Sequence, residues 1–176
     1  MSSKQTSLSR SIFENRNFNA KVLAQEILDN HLEKELLIFS LEKDQLVGNR
    51  AIWVLNYCAE FDFERIKPFQ VKLIEHLKHK KNHSGVIRSI LRMFLNQPVP
   101  KKYESFMLDK CYQYIKNPSE AIAVRAFAMT IVFNISKPYP ELINEFLAVL
   151  NHLNLPEESP GIKATARKMK RLIAKL

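Results

Sequence analysis

An all-α fold of stacked helix pairs is what this sequence predicts, and three observations carry the prediction. Only three glycines occur in 176 residues, and neither common glycine-rich phosphate loop is present. Turn-rich β folds and dinucleotide-binding folds would need more. No stretch alternates apolar and polar residues for the length of a strand. The third observation is a recurrence. Arg50, Arg88, Arg125 and Lys163 stand 38, 37 and 38 residues apart, and a fixed period of this size marks a repeat architecture.

The elements follow in order. Residues 1–16 are polar and serine-rich, and are read as a peripheral segment ahead of one domain over 17–176. Asn19 to Asp29 places Val22, Leu23 and Ile27 on one helical face, a capping helix. A second helix is expected over 31–43, from Leu32, Leu36 and Phe39. Asp44 can cap a third helix, which carries Arg50, Trp53 and Tyr57. A fourth is expected over 64–80, with Pro68 near its first turn. The break at 82–85 precedes a helix over 86–96, and Gln97-Pro98-Val99-Pro100 is a stop. Lys101 to Lys116 is helical. Ser119 and Glu120 then open the most apolar helix of the chain, which Lys137-Pro138-Tyr139-Pro140 ends. Helices over 141–153 and from 162 onward complete roughly nine.

The recurrence extends beyond the cations. Six residues before each stands Asp44, Asn82, Ser119 or Glu157, and directly after each stands Ala51, Ser89, Ala126 or Ala164. The preceding helices agree as well, with Ile66, Phe69, Ile74 and Leu77 matching Tyr103, Phe106, Cys111 and Tyr114. One repeat is thus a helix, a polar turn, and a second helix opening on a cation and a small residue. This pattern resembles the HEAT/armadillo-like family, over residues 31–61, 64–96, 103–136 and 139–174. The resemblance implies a right-handed α-α superhelix of about four HEAT-like helix pairs. It also implies a structural ladder in which Asp44, Arg50, Arg88, Ser119, Arg125 and Lys163 hydrogen-bond from repeat to repeat. Arginine suits that role, because its planar fork of donors needs acceptors close by.

Charge separates the partner classes. The formal net charge is +9. Residues 61–116 hold twelve Lys/Arg against five Asp/Glu, and residues 158–176 hold six against one. These blocks supply candidate contacts for an anionic partner: Lys78, Lys80, Lys81, Arg92, Lys101 and Lys102, then Arg167, Lys168, Lys170 and Arg171. A solvated lysine face is the competing explanation. No apolar run reaches membrane-spanning length, and the polar N-terminus lacks a signal-like apolar core, so a cytoplasmic protein is expected. Cys58 and Cys111 both fall in apolar helical patterns and read as reduced core residues.

Candidate chemistry is sparse. His76, His79 and His83 have helical spacing, but Lys78, Lys80 and Lys81 among them would repel a dication. Trp53 could stack a ligand, yet its repeat counterparts Leu91, Ala128 and Ala166 favour core packing. HEAT-like alkylpurine glycosylases use an aromatic cleft with a catalytic aspartate. Trp53 is followed one turn later by Tyr57, with no carboxylate expected on that face, and the M-P-x-K-x-N loop of the fumarase-type lyases is absent. Tyr103, Phe106, Tyr112 and Tyr114 lie among Lys101, Lys102, Lys110 and Lys116, a mixture that can bind single strands or merely cover a wet helix face. The expectation is therefore a non-enzymatic module with no cofactor or metal, binding a protein partner. Nucleic-acid binding through blocks 78–102 and 163–175 is the alternative.

Overall fold

The computed structural model describes residues 18–41, 45–78 and 83–176. Every regular element among them is helical. The chain forms two compact units, Met1–Met93 and Phe94–Leu176, where the sequence reading drew one domain over 17–176. Repeats touch chiefly their neighbours, so an array of them divides readily.

In the N-terminal unit, α1 (Ala20–Asp29) is capped by Asn19, whose Oδ1 accepts from the Lys21 and Val22 amides. It buries Leu23, Ala24, Ile27 and Leu28. His31 follows in the left-handed region, at φ 55°. The Leu32 amide donates to the Ile27 carbonyl at 3.0 Å, which closes the helix end in the manner usually reserved for glycine. His31 therefore ends α1 and does not open the second helix. That helix, α2 (Glu33–Ser40), is shorter than the expected 31–43. Glu33 is buried against Arg65, which also donates to His31 Nδ1 at 2.9 Å.

The centre of this unit is α3 (Gln45–Phe61), packed against α1, α2 and α6 (Ser84–Met93). Its Ala51, Ile52, Val54, Leu55 and Cys58 are fully enclosed. Asn56 Nδ2 donates to Ser89 O on α6 and to Ile52 O on its own helix, both at 2.9 Å. Gly85 lets α6 come close, since a Cβ there would lie 2.7 Å from Asn49 Oδ1. The break expected over 82–85 thus ends earlier, with Ser84 and Gly85 already inside the helix.

The helix expected over 64–80 is interrupted. It consists of α4 (Phe63–Ile66), a 3₁₀ turn (Lys67–Phe69) and α5 (Gln70–His76). Asp62 caps α4, so Pro68 falls beyond the first turn, where its missing N–H breaks the ladder.

The C-terminal unit has the same plan. A 3₁₀ turn (Lys101–Tyr103) leads into α7 (Glu104–Lys116), followed by α8 (Ile122–Ser136), α9 (Pro140–His152) and α10 (Pro160–Ile173). α8 packs against α7, α9 and α10 and buries Val124, Ala128, Met129, Ile131, Val132 and Ile135. Its start is one correction to the sequence reading. Ser119 is exposed and caps nothing, because the N-cap position falls two residues later, at Ala121; the Ser119 amide donates to the Asn117 side chain at 3.1 Å. The helix begins at Ile122 without a side-chain cap. Likewise Ser159, not Glu157, caps α10.

The four recurrent cations have different surroundings. Arg125 is only 4% exposed. Its Nε and Nη2 donate to the Ile115 carbonyl at the end of α7, at 3.2 and 3.1 Å. Its Nη1 and Nη2 donate to Glu158 at 2.7 and 2.5 Å. One fork thus ties α8 to the end of α7 and to the loop before α10. Lys163 is half-buried and donates to Pro156 O at 3.0 Å. Arg50 is half-buried with its guanidinium 5.1 Å from the Phe18 ring centre, and Arg88 is exposed. Asp44 and Asn82 lie outside the described residues.

Removing Arg125 strands a part-buried carboxylate and a buried carbonyl. Arg125→Ala should cost about 1–3 kcal/mol, while Arg88→Ala should stay within about 0.5 kcal/mol, both read by urea denaturation. Equal losses would contradict the burial difference. Glu158 adds a pH signature. The hydrogen bond from Arg125 holds its carboxyl below the usual range. With the folded pKa depressed, the stabilisation is present above the unfolded pKa and disappears as pH falls through the folded one. Wild type should lose this increment in an acid titration, and Arg125→Ala should have none to lose.

Candidate interaction surface

The surface begins with helical spacing. Arg50, Trp53, Tyr57 and Glu60 are three, four and three residues apart on α3, so they form one stripe. Packing against the other helices takes the remaining faces of α3, and this stripe is left outward. Trp53 is 44% exposed. That overturns its expected core role, and the reason is positional. Its counterparts Leu91, Ala128 and Ala166 are buried, but an indole at this register stays at the surface.

The stripe is a chain of ring contacts. Phe18, just ahead of α1, lies 5.8 Å from Trp53 between ring centres, tilted by 52°. Trp53 lies 6.5 Å from Tyr57, tilted by 38°. Arg50 covers the Phe18 ring, and Arg92 of α6 covers the Tyr57 ring at 5.8 Å. Arg92 Nη2 also meets Glu60 Oε1 at 3.3 Å. Beside it, Phe61 is exposed with Lys21 6.0 Å from its ring centre. Cations over aromatic faces in this way gain about 0.5–1 kcal/mol each at exposed sites.

The other basic candidates divide between the two units. Lys78 is exposed, while Lys80 and Lys81 lie outside the described residues. Lys101 is engaged with the Tyr139 hydroxyl and ring and lies 3.9 Å from Glu104. These contacts, Tyr139 first, raise its pKa. Lys102 is exposed. On α10, Arg167, Lys168 and Arg171 are exposed and Lys170 half-buried, opposite the buried Ile162, Ala166 and Met169.

A cleft lies in the C-terminal unit. The cleft of about 400 Å³ is lined by Glu104, Asp109, Tyr112, Tyr139, Glu141 and Glu145 among others. The Tyr112 hydroxyl is buried there without a hydrogen-bond partner. Burial first, then the nearby Glu145 carboxylate, push its pKa up to about 12.

Nothing in these groups assembles a reaction. Among the described residues, no three His, Cys, Asp or Glu side chains are placed to hold a metal, and His79 of the histidine run lies outside them. Cys58 and Cys111 are buried free thiols, and burial pushes the Cys58 thiol up to about 12, with Glu33 adding to the effect. Such thiols are inert as nucleophiles. No described helix is long and apolar enough to cross a membrane.

Sequence reading missed Asn56, Glu158 and the extent of the Trp53 stripe, where Glu60 puts a carboxylate on a face expected to have none. The spacing of Arg50, Trp53, Tyr57 and Glu60 was a usable signal for the last. Glu158 stands one residue beyond the turn column and so escaped notice.

The helical pairs and their inter-helix side-chain ties define a helical-repeat scaffold. A family model described as a HEAT repeat domain matches residues 5–173, and the chain belongs to that family. No curated protein matches it, and no solved structure does.

Because the Tyr112 hydroxyl has no partner, Tyr112→Phe should leave stability unchanged or raise it by up to about 1 kcal/mol. A loss above that in thermal or urea unfolding would show that the hydroxyl is satisfied in solution.

Proposed function

We propose that this protein is a non-enzymatic interaction module that binds another protein on the exposed faces of its helices. One observation carries the reading: an arginine-flanked Trp53 stands exposed on a well-packed helix. Tryptophan, tyrosine and arginine are the residues that dominate binding energy at protein interfaces. The stripe also costs little to keep, since the core of the N-terminal unit closes without it.

Nucleic-acid binding is a second reading, supported by the exposed Arg167, Lys168 and Arg171 along one helix. Phosphate-driven binding weakens steeply with salt, with a slope set by the number of contacts.

A photo-crosslinking amino acid placed at position 53 tests the first reading. Irradiation in cells should give a discrete protein adduct, which Arg92→Glu reduces. Adducts that are absent, or that consist of nucleic acid, contradict it. For the second reading, the readout is oligonucleotide binding to purified protein across a salt series. Binding that the triple change of Arg167, Lys168 and Arg171 to Ala does not weaken counts against those residues.

A further inference from the structure

We infer that the Trp53 stripe docks an acidic peptide segment, with carboxylates meeting the guanidinium edges and an apolar side chain meeting the indole. This rests on the interaction-module reading and adds the chemistry of the partner.

The repeat itself shows that the stripe is an opened core position. Shifting by 75 residues maps Arg50, Trp53, Tyr57 and Glu60 onto Arg125, Ala128, Val132 and Ile135. All four of the latter are buried in α8. In α3 the same register carries larger or charged groups that reach the surface. Arg125 illustrates what an arginine at this register does when enclosed: it takes a carboxylate, that of Glu158, through two hydrogen bonds.

Ring geometry selects a peptide over a nucleic acid. Base stacking needs an open aromatic face. Arg50 covers Phe18, Arg92 covers Tyr57, and Trp53 is in contact with both rings. Two of the three rings thus already carry a cation, and the part-exposed indole stands beside planar guanidinium forks suited to carboxylate contacts. Arg92 already makes one such contact, its Nη2 donating to Glu60 Oε1 at 3.3 Å. A partner carboxylate would make the same contact.

Charge points the same way. Arg88 stands one turn before Arg92 on α6, and both are exposed. With Lys21 at Phe61, they set cations along the stripe beside the Glu60 carboxylate. Exposed Phe61, with Lys21 at its ring, adds apolar area on the same helix, which suits a segment of mixed acidic and apolar residues better than a polyanion.

Trp53 is the only tryptophan, so intrinsic emission reports this stripe alone. The probes are a tryptophan-free peptide with glutamates around a leucine and a phenylalanine, a twin with lysines for the glutamates, and an oligothymidylate. The expected result is a saturable blue shift with the acidic peptide only. Its apparent affinity should fall about tenfold or more in Arg92→Glu, and that variant should gain binding to the lysine twin. Equal binding of the twin overturns the charge assignment while a peptide site remains, so the module reading stands. An emission change with oligothymidylate but neither peptide overturns both. Silence from all three probes overturns the inference, and the crosslink at position 53 then judges the module reading by itself.

Discussion

A second helix with apolar residues around most of its girth has to be enclosed by other helices, and both compact units are built on that requirement. In α8 the enclosure is nearly complete, and the one charged group on the buried side has to be satisfied internally. Arg125 meets this with a single fork that grips the end of α7 and the loop ahead of α10. A buried cation of this kind is weak evidence for added stability, because its desolvation offsets much of its attraction. It is strong evidence for geometry, since only one arrangement of three elements brings a carbonyl and a carboxylate to the same guanidinium. In α3 the same tying role falls to Asn56, a neutral amide shared between Ser89 and its own helix. The helix pairs are therefore joined by different chemistry in each unit, although the sequence repeats.

That difference explains where function can reside. A helix enclosed on all sides has no surface to offer. α3 is enclosed except along Arg50, Trp53, Tyr57 and Glu60, and those side chains occupy one another: rings on rings, guanidiniums on rings, a carboxylate on a guanidinium. Such mutual contact fixes rotamers before any partner arrives, which lowers the entropy cost of binding. The acidic cleft beside Tyr112 is a different kind of feature, a concavity between helices with no reactive arrangement around it.

Much of the fold was legible from the sequence because helix boundaries depend on local chemistry. Asn19 opens the first helix where the sequence placed its start, and the Pro98–Pro100 stop is a matter of missing amides. The period of 37–38 residues reported the pairing of helices because each repeat must bury the same face. Errors arose where a local group was already committed elsewhere. Ser119 has the composition of a cap, but the helix starts too late for it, with Ala121 at the cap position. Pro68 was placed in a first turn that starts earlier, at Asp62. His31 occupies a left-handed position that composition alone assigns to glycine. Register also cannot say which of several equivalent positions is enclosed. Arg50, Arg88, Arg125 and Lys163 look alike in a column, yet only Arg125 is buried. The Trp53 stripe was hidden for the same reason, since its counterparts are core residues.

Acrylamide quenching of Trp53 is the most direct measurement of this arrangement, because the chain has one tryptophan and the open stripe stands or falls with its exposure. The folded protein should be quenched strongly, approaching the chain unfolded in urea, and Arg50→Ala with Arg92→Ala should increase the quenching by uncovering the rings that flank it. Weak quenching with the blue emission of an enclosed indole would mean that position 53 is core, as in the other repeats, and that the surface proposed for a partner does not exist.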